Sequence, residues 1–242
     1  TNKFLPLLGV RAGISSKSEP AISDFILWQI IDSAFPTGGF AHSVGLEAAW
    51  QHGEVRNRDE LTSFVEASLN QLGRAALPFV TAAYTEPERL DDFDQLCDAF
   101  TTNHVANRAS RAQGKAFLTA VERIFVGVHA LACSESTLKR GLQPSHFAPC
   151  FGACLRRLEV PRDTAMRLFF FNHLRAMLAA AVRLNIVGPM EAQRLQYRFA
   201  CRAEEILKKC GSLTLEEIAQ TAPLLELWQG AQDRLYSRLF QS

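Results

Sequence analysis

The chain has 242 residues, a formal net charge of +1 and 48% hydrophobic residues, which is enough for one sizeable core or two small ones. Charges of both signs are interspersed, so there is no broad electrostatic footprint for nucleic acid. Apolar stretches such as 177–182 fall far short of the ~20 residues that span a bilayer. The cysteines at 97, 133, 150, 154, 201 and 210 fall mostly in apolar helical patterns, and no secretory signal precedes them. They read as free thiols in a reducing, cytoplasmic compartment.

Residues 1–22 read as a flexible leader, because Gly, Ser, Lys and Pro cluster over 9–20. Residues 23–242 read as one all-α domain of about nine or ten helices. An apolar helix is expected over 24–32, carrying Phe25, Leu27, Trp28, Ile30 and Ile31. The segment 33–47 then reads Ser-Ala-Phe-Pro-Thr-Gly-Gly-Phe-Ala-His-Ser-Val-Gly-Leu-Glu. Pro36 suits the second position of a tight turn and Gly38 its end, while Gly39 can take a positive φ or allow close backbone approach. Ser43 is the expected N-cap of a helix over 44–52, with Glu47 near its positive end and Gly53 as its stop. A phosphate-cradling loop is excluded here, since no Gly-Lys-Ser/Thr follows and no strand pattern precedes.

Asn57-Arg58-Asp59-Glu60 has the form of a capping box ahead of Leu61, Phe64, Val65, Leu69 and Leu72. Leu77-Pro78 opens another helix, ending before Pro87, and Asp91 caps the next. A long helix over about 103–130 sets the small residues Ala106, Ser110 and Gly114 on one face, where another helix can approach closely. Its opposite face carries Arg108, Arg111 and Lys115 and reads as solvated. Helices are expected from Pro144 to about Leu158, from Pro161 through a run apolar on most sides and therefore central, and from Met190 to Lys209 after the Gly188-Pro189 break. Thr214-Leu215-Glu216-Glu217 is a second capping box, and a final helix should run from Pro223 to about Arg238. No alternating pattern or hairpin signal argues for a strand.

Three groups of residues suggest chemistry. His146, Cys150 and Cys154 recur at i, i+4 and i+8, a spacing compatible with a soft metal. No second ligand pair accompanies them, and the stripe continues to Leu158 as a buried face would. His42 reads as a surface histidine and has no nucleophile at a spacing that implies a triad. Glu47 and Asp32 can be read as an acid and base across the turn, although their separation is not given by the sequence. No catalytic, cofactor-binding or metal residue is assigned. The tail Leu235-Tyr236-Ser237-Arg238-Leu239-Phe240 is amphipathic and should dock, either on the chain itself or on a partner.

Pro-x-Gly-Gly-Phe-x-x-Ser-x-Gly-Leu-Glu resembles the N-terminal signature of the UreF family of urease accessory proteins, and the segment 235–242 resembles that family's tail. Ala109-Ser110, Gly114, Phe117-Leu118 and Ala180-Ala181-Val182-Arg183-Leu184 are similar to intervening family segments, so the resemblance spans about 24–242. It implies an all-helical, non-enzymatic homodimer without a cofactor, an adaptor and not the metal's main carrier, in a complex with a UreG-type GTPase and a UreD/UreH-type partner that delivers nickel to apo-urease and couples GTP hydrolysis to its insertion; with the charge and apolar-run readings above, no nucleic acid or membrane partner is expected. Carried over residue by residue, Pro36, Gly38, Gly39, Phe40, Ser43, Gly45 and Glu47 form a partner-facing turn on the GTPase side. Tyr236, Ser237, Arg238, Leu239 and Phe240 contact the UreD-type partner. Arg183 lies near the axis of the complex, and Ser110 and Gly114 serve helix packing or a dimer contact. One departure is Gly188-Pro189-Met190-Glu191-Ala192-Gln193, where many bacterial members have a Gly-Gln-Thr-x-Gly-Gln-like stretch. The alternatives are a helical enzyme for a small organic molecule, using His42, Glu47 and a cysteine, and a metal-independent regulatory protein.

Overall fold

The computed structural model describes residues 24–125 and 145–242; the leader read over 1–22 and Cys133 lie outside them. The described residues form ten α-helices and no strand: α1 (Asp24–Ile31), α2 (Leu46–Gln51), α3 (Arg58–Gln71), α4 (Leu77–Thr85), α5 (Leu90–Phe100), α6 (His104–Ile124), α7 (Phe147–Arg157), α8 (Arg162–Arg183), α9 (Pro189–Cys210) and α10 (Pro223–Ala231). The all-α reading holds.

Several boundaries form as local chemistry dictates. The Asn57 side chain accepts from the N–H groups of Asp59 and Glu60 at 3.0 Å each, and Asn103 does the same for Val105 and Ala106. Pro189 occupies the first turn of α9, where its missing N–H costs nothing. Pro78 does not start a separate rod. A π-helical turn over Leu72–Ala76 carries α3 directly into α4, and its wider winding accommodates the proline. Gly73 in this turn lies against Ile206 of α9, with a Cβ placed there only 2.7 Å from the Ile206 methyl.

Two expectations fail at the other end. Thr214 and Glu217 do bond, with Thr214 N and Oγ1 donating to Glu217 Oε2 at 2.9 and 3.0 Å, yet they close only a turn. The final helix stops at Ala231, passes through one 3-10 turn (Gln232–Arg234), and the chain turns extended at Leu235.

The core is built around aromatic rings. Phe117 of α6 lies 5.3 Å from Phe151 of α7, and Phe169 of α8 lies 5.5 Å from Phe151 and 5.9 Å from Phe147. Each such ring buried contributes about 1.5–3 kcal/mol. The small-residue face of α6 meets the start of α7: a Cβ on Gly114 would collide with the Ser145 carbonyl oxygen. On the far side of α7, a Cβ on Gly152 would collide with Val80 O of α4. Backbone therefore packs directly on backbone through α4, α7 and α6. Asp94 of α5 caps α7 from outside, accepting from Ser145 N at 2.9 Å and His146 N at 2.7 Å.

Candidate functional site

The turn at 33–47 and the tail at 235–242, separated by some 190 residues of sequence, form one structure. Pro36 is exposed and Gly38 takes the left-handed conformation, φ +70°, that opens a 3-10 turn over Gly39–Ala41. It is Gly38, and not Gly39, that needs the positive φ. The helix that follows is capped differently from the simple Ser43 expectation. Val44 and Gly45 both have positive φ, 56° and 82°, and α2 begins at Leu46. Ser43 Oγ still accepts from Glu47 N, at 3.4 Å. Gly45 is fixed by space as well, since a Cβ there would lie 2.8 Å from Gln229 N of α10.

This start aims Glu47 inward. Its carboxylate is 2% exposed and accepts from Leu239 N at 2.6 Å, Phe240 N at 3.1 Å and the Gln232 amide at 2.6 Å. A helix continuing to Arg238 would bind those backbone donors internally; the extended tail frees them for Glu47. Around this carboxylate, Gln241 N donates to Ala41 O at 2.8 Å, Ser43 N donates to Ser242 O, and Gln51 Nε2 donates to Ser237 O at 2.8 Å. His42 Nδ1 pairs with Ser242 Oγ. His42 is thus buried and not a surface residue, and burial followed by the Arg108 charge lowers its pKa. Arg183 at the end of α8 fastens the turn to the tail: Nη1 donates to Phe40 O at 2.6 Å, and the guanidinium sits 4.2 Å from the Phe240 ring centroid. Asp233 completes the assembly with Arg108 at 2.8 Å, His104 at 3.2 Å and Arg238 at 3.2 Å.

The predicted site residues divide into two groups. Ser43, Gly45, Glu47 and Phe240 are buried and hold this clasp shut. Pro36, Phe40, Arg183, Tyr236, Ser237, Arg238 and Leu239 are exposed around it, Phe40 by 71%. Gly38 and Gly39 sit between, half-buried. Gln232, Gln51, Ala41, Asp233 and Ser242 belong to the same assembly, and sequence reading missed them. Only the polar Gln232 at a helix end signalled a buried role, and too weakly to single out.

The other candidates lie elsewhere. Ser110 Oγ accepts from Phe147 N at 3.2 Å and bonds His146 Nδ1 at 3.1 Å, and together with Gly114 it serves packing within the chain. The face read as solvated on α6 is partly paired, Arg108 with Asp233 and Arg111 with Asp98. Among the described residues no cluster of three His, Cys, Asp or Glu is placed to hold a metal. The His146, Cys150 and Cys154 stripe is a buried helix face, and burial pushes both thiols well above the usual range, which disfavours the thiolate. Asp32 caps Ala34 N at 2.6 Å while Glu47 faces the tail, so the two carboxylates have separate partners. Of the set named for the enzyme alternative, His42 and Cys97 line one cleft, but Glu47 is occupied by the tail and burial raises the pKa of the Cys97 thiol.

The fold and this clasp define an all-helical protein whose two signature segments converge into one surface. A model of the UreF family matches residues 55–200. The chain is 40% identical over 216 residues to the urease accessory protein F of Oryza sativa subsp. indica, covering 88% of this chain and 83% of that protein. It is 39% identical over 218 residues to that of Arabidopsis thaliana, covering 89% and 91%, and 27% identical over 234 residues to UreF of Kocuria rhizophila, covering 93% and 99%. The chain belongs to the UreF family of urease accessory proteins. Its role is accessory to urease maturation and not catalytic. No helix among the described residues is long and apolar enough to cross a membrane.

Proposed function

We propose that the chain is the adaptor of a nickel-insertion complex, working as a homodimer in the cytoplasm. It joins a UreG-type GTPase and a UreD/UreH-type scaffold to apo-urease, so that GTP hydrolysis is coupled to nickel delivery. The observation that carries this reading is the clasp. Glu47 ties the tail to the turn, and around that seam the exposed Phe40, Arg183, Tyr236 and Leu239 present aromatic, cationic and apolar contacts of the kind that dominate protein interfaces. Pro36, Gly38, Gly39 and Phe40 form the GTPase-facing side. Tyr236, Ser237, Arg238 and Leu239 face the scaffold, and the buried Ser43, Gly45, Glu47 and Phe240 fix the shape of both.

The test is nickel-dependent activation of apo-urease with the GTPase and the UreD-type partner, with and without this chain, together with recovery of the assembled complex. Gly39→Arg separates recognition from folding. A Cβ at Gly39 meets nothing nearer than 3.6 Å and φ there is not positive, so the variant should fold normally. It should fail to assemble and fail to activate. Normal assembly by this variant would make the turn merely structural. Removing residues 235–242 should weaken scaffold binding with little change in helix content.

A further inference from the structure

Beside the clasp lies a cleft of about 320 Å³ between α3, α6, α8 and α10. That is at the small end of the ~300–1,000 Å³ range in which ligand sites fall. Its walls are mostly apolar, with Ile30, Leu72, Phe79, Phe169 and Leu225 among them. Small side chains on α8, Ala176 and Ala179, leave the space open. The turn contributes one wall, formed by Ser33, Thr37, Gly39, Phe40, His42 and Val44.

Polar side chains are interspersed on these walls, but the charged and imidazole groups among them are few and unequal. Ser68 and His173 satisfy one another, Oγ to Nε2 at 2.8 Å. Glu226 is bonded by the Gln71 amide at 3.3 Å, and burial raises its pKa, favouring the neutral acid. The histidines, His42 and His173, are both pushed toward the neutral form by burial. Burial lowers the pKa of Arg175 as well, but a guanidinium stays charged. Arg175 is the one Arg or Lys lining the cleft, and its Nε is buried without a hydrogen-bond partner. One Nη2 contact goes to Asn172 Oδ1 at 3.3 Å, and among the described residues no carboxylate lies within ion-pair distance; Asp32 acts on it only through space. A buried guanidinium N–H left unpaired is costly, and a carboxylate is the partner whose geometry matches the guanidinium fork.

We propose that this cleft is a binding site for a small organic anion with an apolar body, of the medium-chain carboxylate class, whose carboxylate is held by Arg175 and whose chain fills the space beside Ala176 and Phe169. The apolar walls supply the affinity and Arg175 the charge selectivity. The site is independent of the adaptor reading, and the clasp remains closed when it is filled.

The test compares sodium octanoate with octanamide, which shares the chain and lacks the charge, by calorimetric titration of the full chain. Octanoate should bind saturably at one per chain, about tenfold tighter than octanamide. Arg175→Met should abolish that preference while leaving weak binding of both. Ala176→Phe should abolish binding of both, and displacement of the dye 8-anilinonaphthalene-1-sulfonate provides a second readout. Absence of octanoate binding, equal affinity for the two compounds in the unaltered chain, or retained preference in Arg175→Met would each overturn the proposal. If Ala176→Phe misfolds by circular dichroism, the Arg175→Met comparison alone decides.

Discussion

The seam between α6 and α7 and the clasp between turn and tail are both long-range contacts, but they are held by different forces. At the seam, glycine lets main chain lie on main chain, and Phe117, Phe147 and Phe151 close the space around it. Nothing there can relax without moving a helix. At the clasp, one buried carboxylate gathers two backbone donors and one amide, and the partners are otherwise an irregular turn and an extended tail. Such a contact can open into water, where all of its polar groups find new partners. The first arrangement fixes a fold, and the second suits a surface that meets other proteins.

The widest separation between the two should come from Gly114→Ala. The added methyl has no space against Ser145 O, so the start of α7 must shift, at a cost of about 3 kcal/mol. Urea denaturation should show a lower midpoint for the whole molecule. A midpoint like that of the unaltered chain would mean that the 145–146 backbone yields easily, and the distinction drawn here would weaken.

Acid probes the helical body and the clasp at once. His173, on α8, is held neutral by burial, with its pKa lowered to about 4. Below the unfolded value of about 6.5 the unfolded chain binds a proton that the folded chain refuses, so stability falls as pH drops from 6.5 toward 4 and levels off below. The full effect is about 3 kcal/mol at roughly 1.4 kcal/mol per unit. His42 is shifted in the same direction by burial and by Arg108, so the clasp should also loosen as pH falls below about 6.5. In denaturant titrations at several pH values, His173→Gln should flatten the slope; a slope unchanged by that substitution would assign the acid sensitivity elsewhere.

Glu47→Ala isolates the clasp. It removes the acceptor of Leu239 N, Phe240 N and the Gln232 amide, a loss of about 2 kcal/mol, smaller than three buried bonds because the tail can leave for solvent. Helix content should hold while trypsin gains access at Arg234 and Arg238. If the tail stays protected, Arg183 and Phe240 suffice to hold it, and the carboxylate is not the organiser.

How much of this was legible in the sequence follows the same division. The cap at Asn57, the stop before Pro87, the break at Gly188-Pro189 and the small face of α6 are local signals with local causes, and they appear where expected. The continuous α3–α4 rod was hidden because Pro78 reads as a start while a π turn absorbs it. The extended tail was hidden for a stronger reason: residues 232–238 have no breaker, and the contacts that hold the tail extended, to Glu47, Gln51, Ala41 and Arg183, come from far away in sequence. Val44 in a left-handed conformation, next to Gly45 packed on α10, carries no such local signal either. The motif residues were recognisable singly, but their convergence with the tail was not, because spacing carries no information about contacts at that range.

The smallest effect sharpens the comparison most. Arg108 and Asp233 make two bonds, at 2.8 and 3.1 Å, across the edge of the clasp. Arg108 is half exposed, so the pair is screened by solvent and salt. Arg108→Ala should therefore cost less than about 1 kcal/mol, and less again at high salt. It also removes a charge that lowers the pKa of His42, so the acid loosening of the clasp should be smaller and level off at a higher pH. Amide exchange of Leu239 and Phe240 followed against pH would show both effects. If Arg108→Ala instead releases these amides as fully as Glu47→Ala does, the clasp is an ion-pair assembly at its rim, and the buried carboxylate is only one of its parts.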